Sequence, residues 1–480
     1  MEASLFTAKS KEDSPALLRP SPRLRRLAAP RLCAPHPQPI PSGPAAVSRF
    51  LIFLTAALAV STSYLLLFRS PVSAPAAVSV SRSLSKLQKP VVLLISTDGF
   101  RFGYQYKAPN PHIRRLTANG TSAVEGLIPV FPTLSFPNHY SIITGLYPSS
   151  HGIISNFFSD PISGDQFTIA SLEPKWWLGE PLWVTAADQG VQAATFFWAG
   201  SEVKKGSWDC PDKYCRHYNA SVPLEERVDA ILGYFDLPAD EMPQLLTLYF
   251  GAPDHVGPQF GPDSPAVTDA VEHIDEMMGR LIAGLEARGV FEDVNIIWVG
   301  DHGMAETCDQ KLVVLDDLAP WIEVEAPWIT GWLGSSLIIG PLDGVSPAEV
   351  VAKMNEGLGS GKVKNGEHLK VYLKEDLPSR LHYSENYRIQ PIIGLVDEGY
   401  WVDMKRSDRK ECGGMHGYDN AFFSMRSVFV AHGPRFERGK TVPSFENVEI
   451  YNVIASILNL RPASNNGSAS FPGTVLLPTE

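Results

Sequence analysis

The sequence predicts an α/β domain built on a mostly parallel central sheet and preceded by one transmembrane helix. Six short apolar runs follow residue 89, and each is continuously hydrophobic, as strands buried on both faces of a sheet are. The runs are PVVLLIS, AATFFWAG, LLTLYF, VNIIWVG, SSLIIG and SVFVAHG. Helical patterns such as NPHIRRLTANG lie between them, and strands that alternate with helices indicate a parallel sheet.

The first 49 residues are rich in proline and basic residues and show no sustained periodicity, so we expect a disordered tail. They hold eight Lys/Arg against three Asp/Glu, whereas the whole chain has a net charge of -11. The remainder is therefore strongly acidic. This charge excludes general binding to nucleic-acid duplexes, because a phosphate backbone demands clustered basic residues.

Residues 50–68, FLIFLTAALAVSTSYLLLF, carry no charge and lie between Arg49 and Arg69, and their length suffices to cross a bilayer. Because the basic excess precedes them, we predict a signal anchor with residues 1–49 in the cytosol. The chain is then a single-pass type II membrane protein whose bulk is lumenal or extracellular, joined by a small-residue stalk at 69–88. A cleaved signal or an organelle transit peptide is the alternative, since the tail is rich in Arg, Ser and Pro.

Three acceptor motifs for N-glycosylation agree with a lumenal location. All of them follow the predicted span, and the tail contains none. Each motif alone is a weak indication, because the pattern of Asn followed two residues later by Ser or Thr is short. The predicted acceptors are Asn119, Asn219 and Asn466.

Four cysteines lie beyond the span, and a fifth, Cys33, lies in the tail. The four are Cys210, Cys215, Cys308 and Cys412. An even number in an oxidising compartment predicts two disulfides, and of the three pairings we favour Cys210–Cys215 with Cys308–Cys412. Four free thiols are the alternative, which such a compartment disfavours.

Acidic residues follow three of the predicted strands. Asp98 follows PVVLLIS, Asp254 follows LLTLYF, and Asp301 with His302 follows VNIIWVG. Because the carboxyl ends of parallel strands share one edge of the sheet, we expect these side chains to lie together. A single aspartate at such a place is usually a helix cap or turn residue, but three with a neighbouring histidine fit a metal site better. His416, in the glycine-rich GGMHGYDN, is well placed to be a further ligand.

Residues 131–152, FPTLSFPNHYSIITGLYPSSHG, place a hydroxyl group directly before a predicted helix. The helix covers NHYSIITGLYP and is stopped by Gly145 and Pro148. A hydroxyl at a helix N-terminus meets unsatisfied N–H groups and the positive end of the helix dipole, which suits a nucleophile that attacks phosphorus. The alternative is an ordinary serine N-cap.

The segments STDGFR, TLSFPNHYSIITGLYPSSHGI, LYFGAPDHVGPQFGPDS, GDHGM and GGMHGYDN occur in this order. Together they resemble the nucleotide pyrophosphatase/phosphodiesterase family of the alkaline phosphatase superfamily, from residue 89 to about Arg461. The resemblance implies an alkaline-phosphatase-like three-layer sandwich with a mostly parallel central sheet. It assigns a phosphodiesterase catalytic domain to residues 89–465 and a C-terminal tail to 466–480.

The family binds two zinc ions, and the resemblance implies ligands for both. The second metal would be held by Asp98, Asp301 and His302 together with the nucleophile, which is Ser135 because it directly precedes FPNHY. Thr133 is the alternative nucleophile.

The first metal would be held by Asp254, His416 and a histidine four residues after Asp254, where this chain has Pro258. The first zinc site is therefore incomplete. His255 is a neighbouring histidine that could substitute, but it adjoins Asp254 and should point elsewhere.

The resemblance also implies substrate contacts. Asn156 matches the asparagine that donates to a phosphoryl oxygen, and Phe136 with Tyr218 matches the aromatic pair that clamps a nucleotide base. The partners expected are a nucleotide or nucleotide sugar as substrate and the membrane through one helix; the sequence predicts no oligomeric state.

These features predict a membrane-anchored, metal-dependent hydrolase of phosphodiester or pyrophosphate bonds in nucleotides or nucleotide sugars. It would act through a phospho-serine intermediate and release a nucleoside monophosphate. The first alternative is a catalytically weakened or silent nucleotide-binding relative, because Pro258 replaces a metal ligand. Monoester or phospholipid cleavage is a further alternative, which the aromatic pair disfavours.

Overall fold

The central strands form where the sequence has its longest apolar runs. A computed structural model of the chain describes residues 79–331, 333–341, 344–406 and 412–479. The predicted tail, the predicted transmembrane helix at 50–68 and most of the predicted stalk lie outside these residues. Within them, no helix combines the length and the apolarity that a bilayer crossing requires.

The strands of the described residues are β1 (Val91–Thr97), β2 (Thr121–Ala123), β3 (Leu127–Ile128), β4 (Phe158–Ser159), β5 (Gln166–Phe167), β6 (Ala193–Phe196), β7 (Leu245–Phe250), β8 (Val294–Gly300), β9 (Ala305–Thr307), β10 (Leu312–Val314), β11 (Ser336–Ile339), β12 (Leu369–Leu373), β13 (Ile392–Val396), β14 (Trp401–Asp403), β15 (Gly413–Met415), β16 (Phe429–His432), β17 (Lys440–Val442) and β18 (Phe445–Glu446). The α-helices are α1 (Pro111–Ala118), α2 (Ser135–Thr144), α3 (Pro148–His151), α4 (Leu182–Asp188), α5 (Leu224–Tyr234), α6 (Gly257–Phe260), α7 (Pro265–Ala287), α8 (Pro347–Gly359), α9 (Glu449–Ile457) and α10 (Pro472–Val475). Short 3-10 helices cover Phe102–Tyr106, Asp309–Lys311, Leu315–Leu318, Ala326–Trp328, Gly366–His368, Lys374–Asp376, Ser379–Leu381 and Phe423–Met425.

The main sheet of the described residues has the strand order β17-β2-β16-β8-β1-β7-β6. Strand β1 lies at its centre and pairs in parallel with both β7 and β8. Only β16 runs antiparallel to its neighbours, β2 and β8, among the described strands of this sheet. The predicted α/β fold with a mostly parallel central sheet is therefore confirmed.

One of the six predicted strands lies outside the main sheet. The run SSLIIG forms β11, which pairs antiparallel with β13 in a separate sheet of order β11-β13-β12. Every residue of β11 is buried, because Leu337 and Ile339 pack into one core cluster and Ile338 into another. Continuous hydrophobicity reports burial on both faces, and that condition is met here without parallel pairing.

Helices cover both faces of the main sheet. Successive side chains of a strand point to opposite faces, so Val92 and Leu94 of β1 join a core cluster with residues of α2, α4 and α9. Val91, Leu93 and Ile95 of the same strand join a second cluster with residues of α1, α5 and α7. The central strand is buried by helices on either side, which explains its unbroken apolar run.

Both ends of the described chain pack against the sheet-and-helix core. In the segment 79–88, assigned above to the stalk, the backbone N–H groups of Ser85, Lys86 and Leu87 donate to the buried carboxylate of Asp293. The N–H group of Ser81 donates to the carbonyl of Pro478, at 2.9 Å. The two ends therefore meet, at the side of the sheet where β8 begins.

The four cysteines form two disulfides, Cys210–Cys215 and Cys308–Cys412. The first closes a loop between β6 and α5. The second joins the residue after β9 to the residue before β15, and these two strands pair with each other. Both predicted disulfides are confirmed.

Asp275 on α7 supports the start of α1, and its loss should destabilise the fold. The N-cap residue of α1, Asn110, makes no capping side-chain hydrogen bond. The N–H groups of His112 and Ile113 donate instead to Asp275 Oδ1, at 3.0 and 2.7 Å. We expect Asp275→Ala to lower the free energy of unfolding by about 1–3 kcal/mol, measured by urea denaturation. The adjacent Glu276→Ala, at an exposed position, should change it little, and equal losses in the two variants would contradict this role.

Candidate active site

Two buried aspartates stand at the carboxyl ends of adjacent strands. Asp98 follows β1 and Asp301 follows β8, and both are buried. Asp301 Oδ1 accepts hydrogen bonds from the N–H groups of Gly99 and His302, each at 2.9 Å. Asp98 Oδ2 accepts a hydrogen bond from the Tyr249 hydroxyl at 2.6 Å. Each carboxylate therefore has one oxygen fixed by the protein.

Ser135 is the first residue of α2 and faces these carboxylates. Its Oγ lies 3.3 Å from Asp98 Oδ1 and 3.2 Å from His302 Nε2. The N-cap residue Leu134 has no polar side chain, so no side chain of the cap covers the helix N-terminus. The serine hydroxyl therefore lies at the positive end of a helix and within reach of a metal-binding group.

His302 presents one ring nitrogen to the cluster. Its Nδ1 hydrogen-bonds the carbonyl of Gly303 at 2.8 Å, so Nε2 is the atom available to a ligand. That atom lies 3.4 Å from Asp98 Oδ1 and 3.2 Å from Asp301 Oδ2. Asp98, Asp301 and His302 can place their ligand atoms within 4.8 Å of one another, as a metal site requires.

Asp254 and His416 form the other half of the site. His416 Nε2 lies 3.4 Å from Asp254 Oδ1, and its Nδ1 hydrogen-bonds the carbonyl of Thr133 at 3.0 Å. The His416 ring stacks on His302 with centroids 3.7 Å apart. Asp254, His416 and His302 form a second group with ligand atoms within 4.8 Å.

His302 belongs to both groups, which limits what the second group can hold. One imidazole nitrogen coordinates one metal ion, and His302 Nδ1 is engaged by Gly303. If Asp98 and Asp301 share a metal with His302, Asp254 and His416 are left as the protein ligands of the other site. His255 belongs to neither group within the described residues: its side chain is exposed and bonds the carbonyl of Gly251.

The donor atoms of both groups suit a divalent cation. Asp301 Oδ2 and Asp254 Oδ1 are buried and accept no hydrogen bond within the described residues. Buried polar atoms are normally paired, so two carboxylate oxygens without hydrogen bonds in one cluster are suited to binding a cation. Oxygen and imidazole nitrogen are ligands of zinc. The residues present therefore fit the expected metal, completely at Asp98, Asp301 and His302 and incompletely at Asp254 and His416.

The remaining predicted residues surround this cluster. Asn156 Oδ1 accepts a hydrogen bond from the N–H of Phe136 at 2.9 Å, within the first turn of α2. Phe136 lies beside Phe167 and Trp177. Tyr218 is 55% exposed and contacts Tyr249, the residue that donates to Asp98.

A comparison with protein families decides the relationship. The model of the family described as type I phosphodiesterase/nucleotide pyrophosphatase matches residues 92–419. The chain belongs to this family. The matched range carries Asp98, Ser135, Asp254, Asp301 and His416, so the resemblance inferred from the motifs is confirmed.

Individual relatives match most of this chain. Human ectonucleotide pyrophosphatase/phosphodiesterase family member 1 is 40% identical over 394 residues, which are 79% of this chain and 41% of that protein. The chain thus matches less than half the length of this human relative. An uncharacterized pyrophosphatase/phosphodiesterase of Schizosaccharomyces pombe is 39% identical over 391 residues, 78% of each chain.

A solved structure agrees with the computed fold. Murine ectonucleotide pyrophosphatase/phosphodiesterase 5, as an inactive threonine-to-alanine variant in complex with AMP, superposes with a TM-score of 0.71 at 33% identity. The match covers 81% of this chain and all of that one. The central sheet described above is therefore the fold of the family.

Burial and neighbouring charges shift the pKa values of the site residues in the metal-free protein. Although burial opposes ionisation of Asp98, its hydrogen bond with His302 lowers the pKa to about 2. Burial and the charge of Asp98 raise the pKa of Asp254 to about 8. Burial would lower the pKa of His302, but the surrounding carboxylates raise it to about 10. A metal ion would therefore displace protons from His302 and Asp254 when it binds.

Two residues of the site carry no prediction from the sequence. His139 lies one helical turn after Ser135, with Nδ1 3.3 Å from Asp301 Oδ2. Tyr249 donates to Asp98 from β7. The spacing of Ser135 and His139, four residues apart on one helix, is the feature of the sequence that could have pointed to the histidine.

Replacing the ionisable carboxyl group of Asp254 should change how the stability of the metal-free protein depends on pH. The pKa of Asp254 is about 8 in the folded protein, against about 3.9 for an unperturbed aspartate. Between these values the folded state holds a proton that the unfolded state has lost, so the free energy of unfolding falls as pH rises. Asp254→Asn should remove this component of the fall, measured by urea denaturation in the presence of a chelator.

The control for this pH profile is Asp263→Asn, which removes a carboxylate from an exposed position nearby in the chain. It should keep the pH dependence of the unaltered protein. Identical profiles for Asp254→Asn and Asp263→Asn would contradict the raised pKa of Asp254.

Proposed function

We propose that the chain is a metal-dependent hydrolase that cleaves phosphodiester or pyrophosphate bonds of nucleotides or nucleotide sugars and releases a nucleoside monophosphate. The observation that carries this proposal is the position of the Ser135 hydroxyl, at the N-terminus of α2 and 3.3 Å from Asp98 Oδ1. A hydroxyl beside a complete set of metal ligands is equipped to attack phosphorus. The named activities of the relatives support the same reaction.

One zinc ion would be held by Asp98, Asp301, His302 and Ser135. A second zinc ion would have only Asp254 and His416 as protein ligands. Zinc supplies a Lewis acid that lowers the pKa of bound hydroxyl groups and stabilises charge on phosphoryl oxygens. The protein contributes the oxygens that remain unpaired, Asp301 Oδ2 and Asp254 Oδ1. The N–H of Gly99 fixes Asp301 Oδ1, and the hydroxyl of Tyr249 fixes Asp98 Oδ2. These hydrogen bonds keep the two carboxylates oriented before substrate binds.

The Ser135 side chain acts as the nucleophile. Its oxygen forms a bond to phosphorus as the bond to the leaving group breaks, and the hydroxyl proton leaves with the leaving group, which gives a phospho-serine intermediate. Water then forms a bond to phosphorus as the bond between Ser135 Oγ and phosphorus breaks, which releases the nucleoside monophosphate and returns the hydroxyl group to Ser135. The helix N-terminus under Ser135 favours the negative charge that develops at this position.

Asn156, Phe136 and Tyr218 bind the substrate in this proposal. Asn156 uses its oxygen to cap the N–H of Phe136, so its amide nitrogen is the group left to donate to a phosphoryl oxygen. Phe136 adjoins the nucleophile, and Tyr218 adjoins Tyr249 at the edge of the metal cluster. Aromatic side chains beside the reacting centre suit a nucleotide base.

Pro258 favours a second candidate function, a silent or weakened nucleotide-binding relative. The side chain of proline has no atom that binds a metal, and His302 cannot supply one nitrogen to two ions. Occupancy of the first site should therefore be low. Because that site would assist the water that releases the intermediate, slow hydrolysis of phospho-serine is the expected defect.

The chain is proposed to be a type II membrane protein with its catalytic domain lumenal or extracellular. The two disulfides favour an oxidising compartment. Asn119, Asn219 and Asn466 are all exposed in the structure and therefore accessible to glycosylation. The positive-inside pattern around residues 50–68 supports the same orientation.

Replacing Pro258 by histidine should restore the first zinc site. We expect Pro258→His to raise the zinc content of the purified chain. The turnover of a generic nucleotide phosphodiester should increase by about tenfold or more, since each tenfold corresponds to about 1.4 kcal/mol of barrier. Steady-state kinetics and metal analysis measure the two effects.

Two variants control for this gain. Pro258→Ala removes the proline without adding a ligand, and Gln259→His adds a histidine one position away; neither should increase zinc content. Equal turnover in the unaltered chain and in Pro258→His would show that the first metal is held without this histidine. Turnover in Pro258→His alone would favour the silent-relative reading of the natural chain.

Ser135→Ala should abolish the covalent intermediate. We expect kcat to fall by about a thousandfold or more, because the attacking oxygen is lost. Ser135→Thr keeps the hydroxyl and should retain turnover. Acid quenching with a phosphorus-labelled substrate measures the phospho-enzyme, and label on Ser135→Ala equal to that of the unaltered chain would rule out Ser135 as the nucleophile.

A further inference from the structure

His139 is a buried histidine on which three elements of the site converge. It lies one turn after Ser135 in α2 and is 2% exposed. Its Nδ1 lies 2.9 Å from the Ser135 carbonyl oxygen and 3.3 Å from Asp301 Oδ2. Its Nε2 lies 2.9 Å from Oγ of Ser96, which precedes Asp98 by two residues.

The neighbours of the ring decide which nitrogen carries the proton. Nδ1 faces a carbonyl oxygen and a carboxylate oxygen, both acceptors, so Nδ1 carries the hydrogen. In the neutral ring Nε2 is then the acceptor and receives a hydrogen bond from the Ser96 hydroxyl. The ring plane is fixed by Trp198 and Tyr249, with centroids 5.1 and 5.3 Å away. The donor edge of His139 is therefore held toward Asp301.

The two oxygens of Asp301 have different surroundings, and His139 faces the one that lacks a hydrogen bond. Oδ1 is hydrogen-bonded by the N–H groups of Gly99 and His302. Oδ2 is buried and accepts no hydrogen bond in the described part of the chain. The N–H of His139 attracts this oxygen electrostatically while its own hydrogen bond goes to the Ser135 carbonyl. The lone pairs of Oδ2 stay available to a metal.

We propose that His139 is a positioning residue. Ser96 of β1 anchors its ring, and the ring orients Asp301 for metal binding and the first turn of α2, with Ser135, for attack. This inference rests on the proposed function, because it assigns Asp301 and Ser135 their roles. His139 touches neither substrate nor metal. Its action is exerted through the orientation of Asp301 and the place of the first turn of α2.

Two substitutions separate the two sides of the ring. His139→Asn keeps an N–H donor near the position of Nδ1, whereas His139→Gln keeps an acceptor near the position of Nε2. Zinc affinity of the full chain is measured by competition with a chromogenic chelator, beside kcat and KM. We expect His139→Gln to lose about ten- to a hundredfold in zinc affinity and to lose kcat more than KM. His139→Asn should keep a zinc affinity and a kcat close to those of the unaltered chain.

A pair of serine variants tests the same linkage without altering the histidine. Ser96→Ala removes the hydrogen bond that fixes the His139 tautomer. Ser141→Ala is its match, because Ser141 Oγ on α2 lies 3.0 Å from Nε2 of His151 on α3, in an equally buried serine–histidine pair. Both should lower thermal stability in chelator to a similar extent. Only Ser96→Ala should lower zinc affinity.

The outcomes distinguish this inference from the proposed function. Weak zinc binding in Asp301→Ala with normal binding in Ser96→Ala and both His139 variants would overturn the role of His139 alone. Equal zinc loss in Ser96→Ala and Ser141→Ala would show a merely structural role and overturn it as well. Zinc affinity unchanged even in Asp301→Ala would overturn the proposed function and the inference together. If the His139 variants do not fold, the serine pair decides.

Discussion

Mutual repulsion among buried carboxylates is the constraint on which the site depends. Asp98 and Asp301, which are buried, meet the partly buried Asp254 at one edge of the sheet, where burial makes unpaired negative charge costly. In the metal-free protein the conflict is relieved by protons, on His302 and on Asp254, because their pKa values are about 10 and about 8. A divalent cation relieves it directly. The cluster of carboxylates is therefore stabilised by bound protons or by a bound cation.

The parallel pairing of β1 with β7 and β8 is what brings the carboxylates together. Asp98 and Asp301 follow adjacent strands, and the loop after β7 returns Asp254 to the same edge through a hydrogen bond from its N–H to the carbonyl of Asp98. Gly99 permits this approach. It has a φ of +65°, and a Cβ there would lie 2.8 Å from the Cβ of Asp254, so a larger residue would separate the two aspartates.

Much of this arrangement could be predicted because its determinants are local. The strand ends at Asp98 and Asp301 follow from apolar runs, and the end of α2 follows from Gly145. The helix begins at Ser135 and not after Pro137 as predicted, because proline is tolerated in the first turn. The partners of those residues could not be read in the same way. Tyr249 donates to Asp98 across a strand pair, and β11 joins a different sheet from its sequence look-alikes. Such pairings depend on which segments pack together, and a single apolar run looks the same in either place.

The bond between Cys308 and Cys412 closes a loop of 104 residues in sequence separation whose two ends stand beside the stacked histidines. His302 lies just before β9 and His416 lies just after β15. The disulfide therefore keeps the two paired strands next to these rings in register. The antiparallel sheet of β11, β12 and β13 lies entirely inside the loop. A proteolytic nick in that excursion would leave the two halves covalently joined, with both imidazoles still facing each other. Such a nicked molecule would run as one chain on a non-reducing gel and as two after reduction.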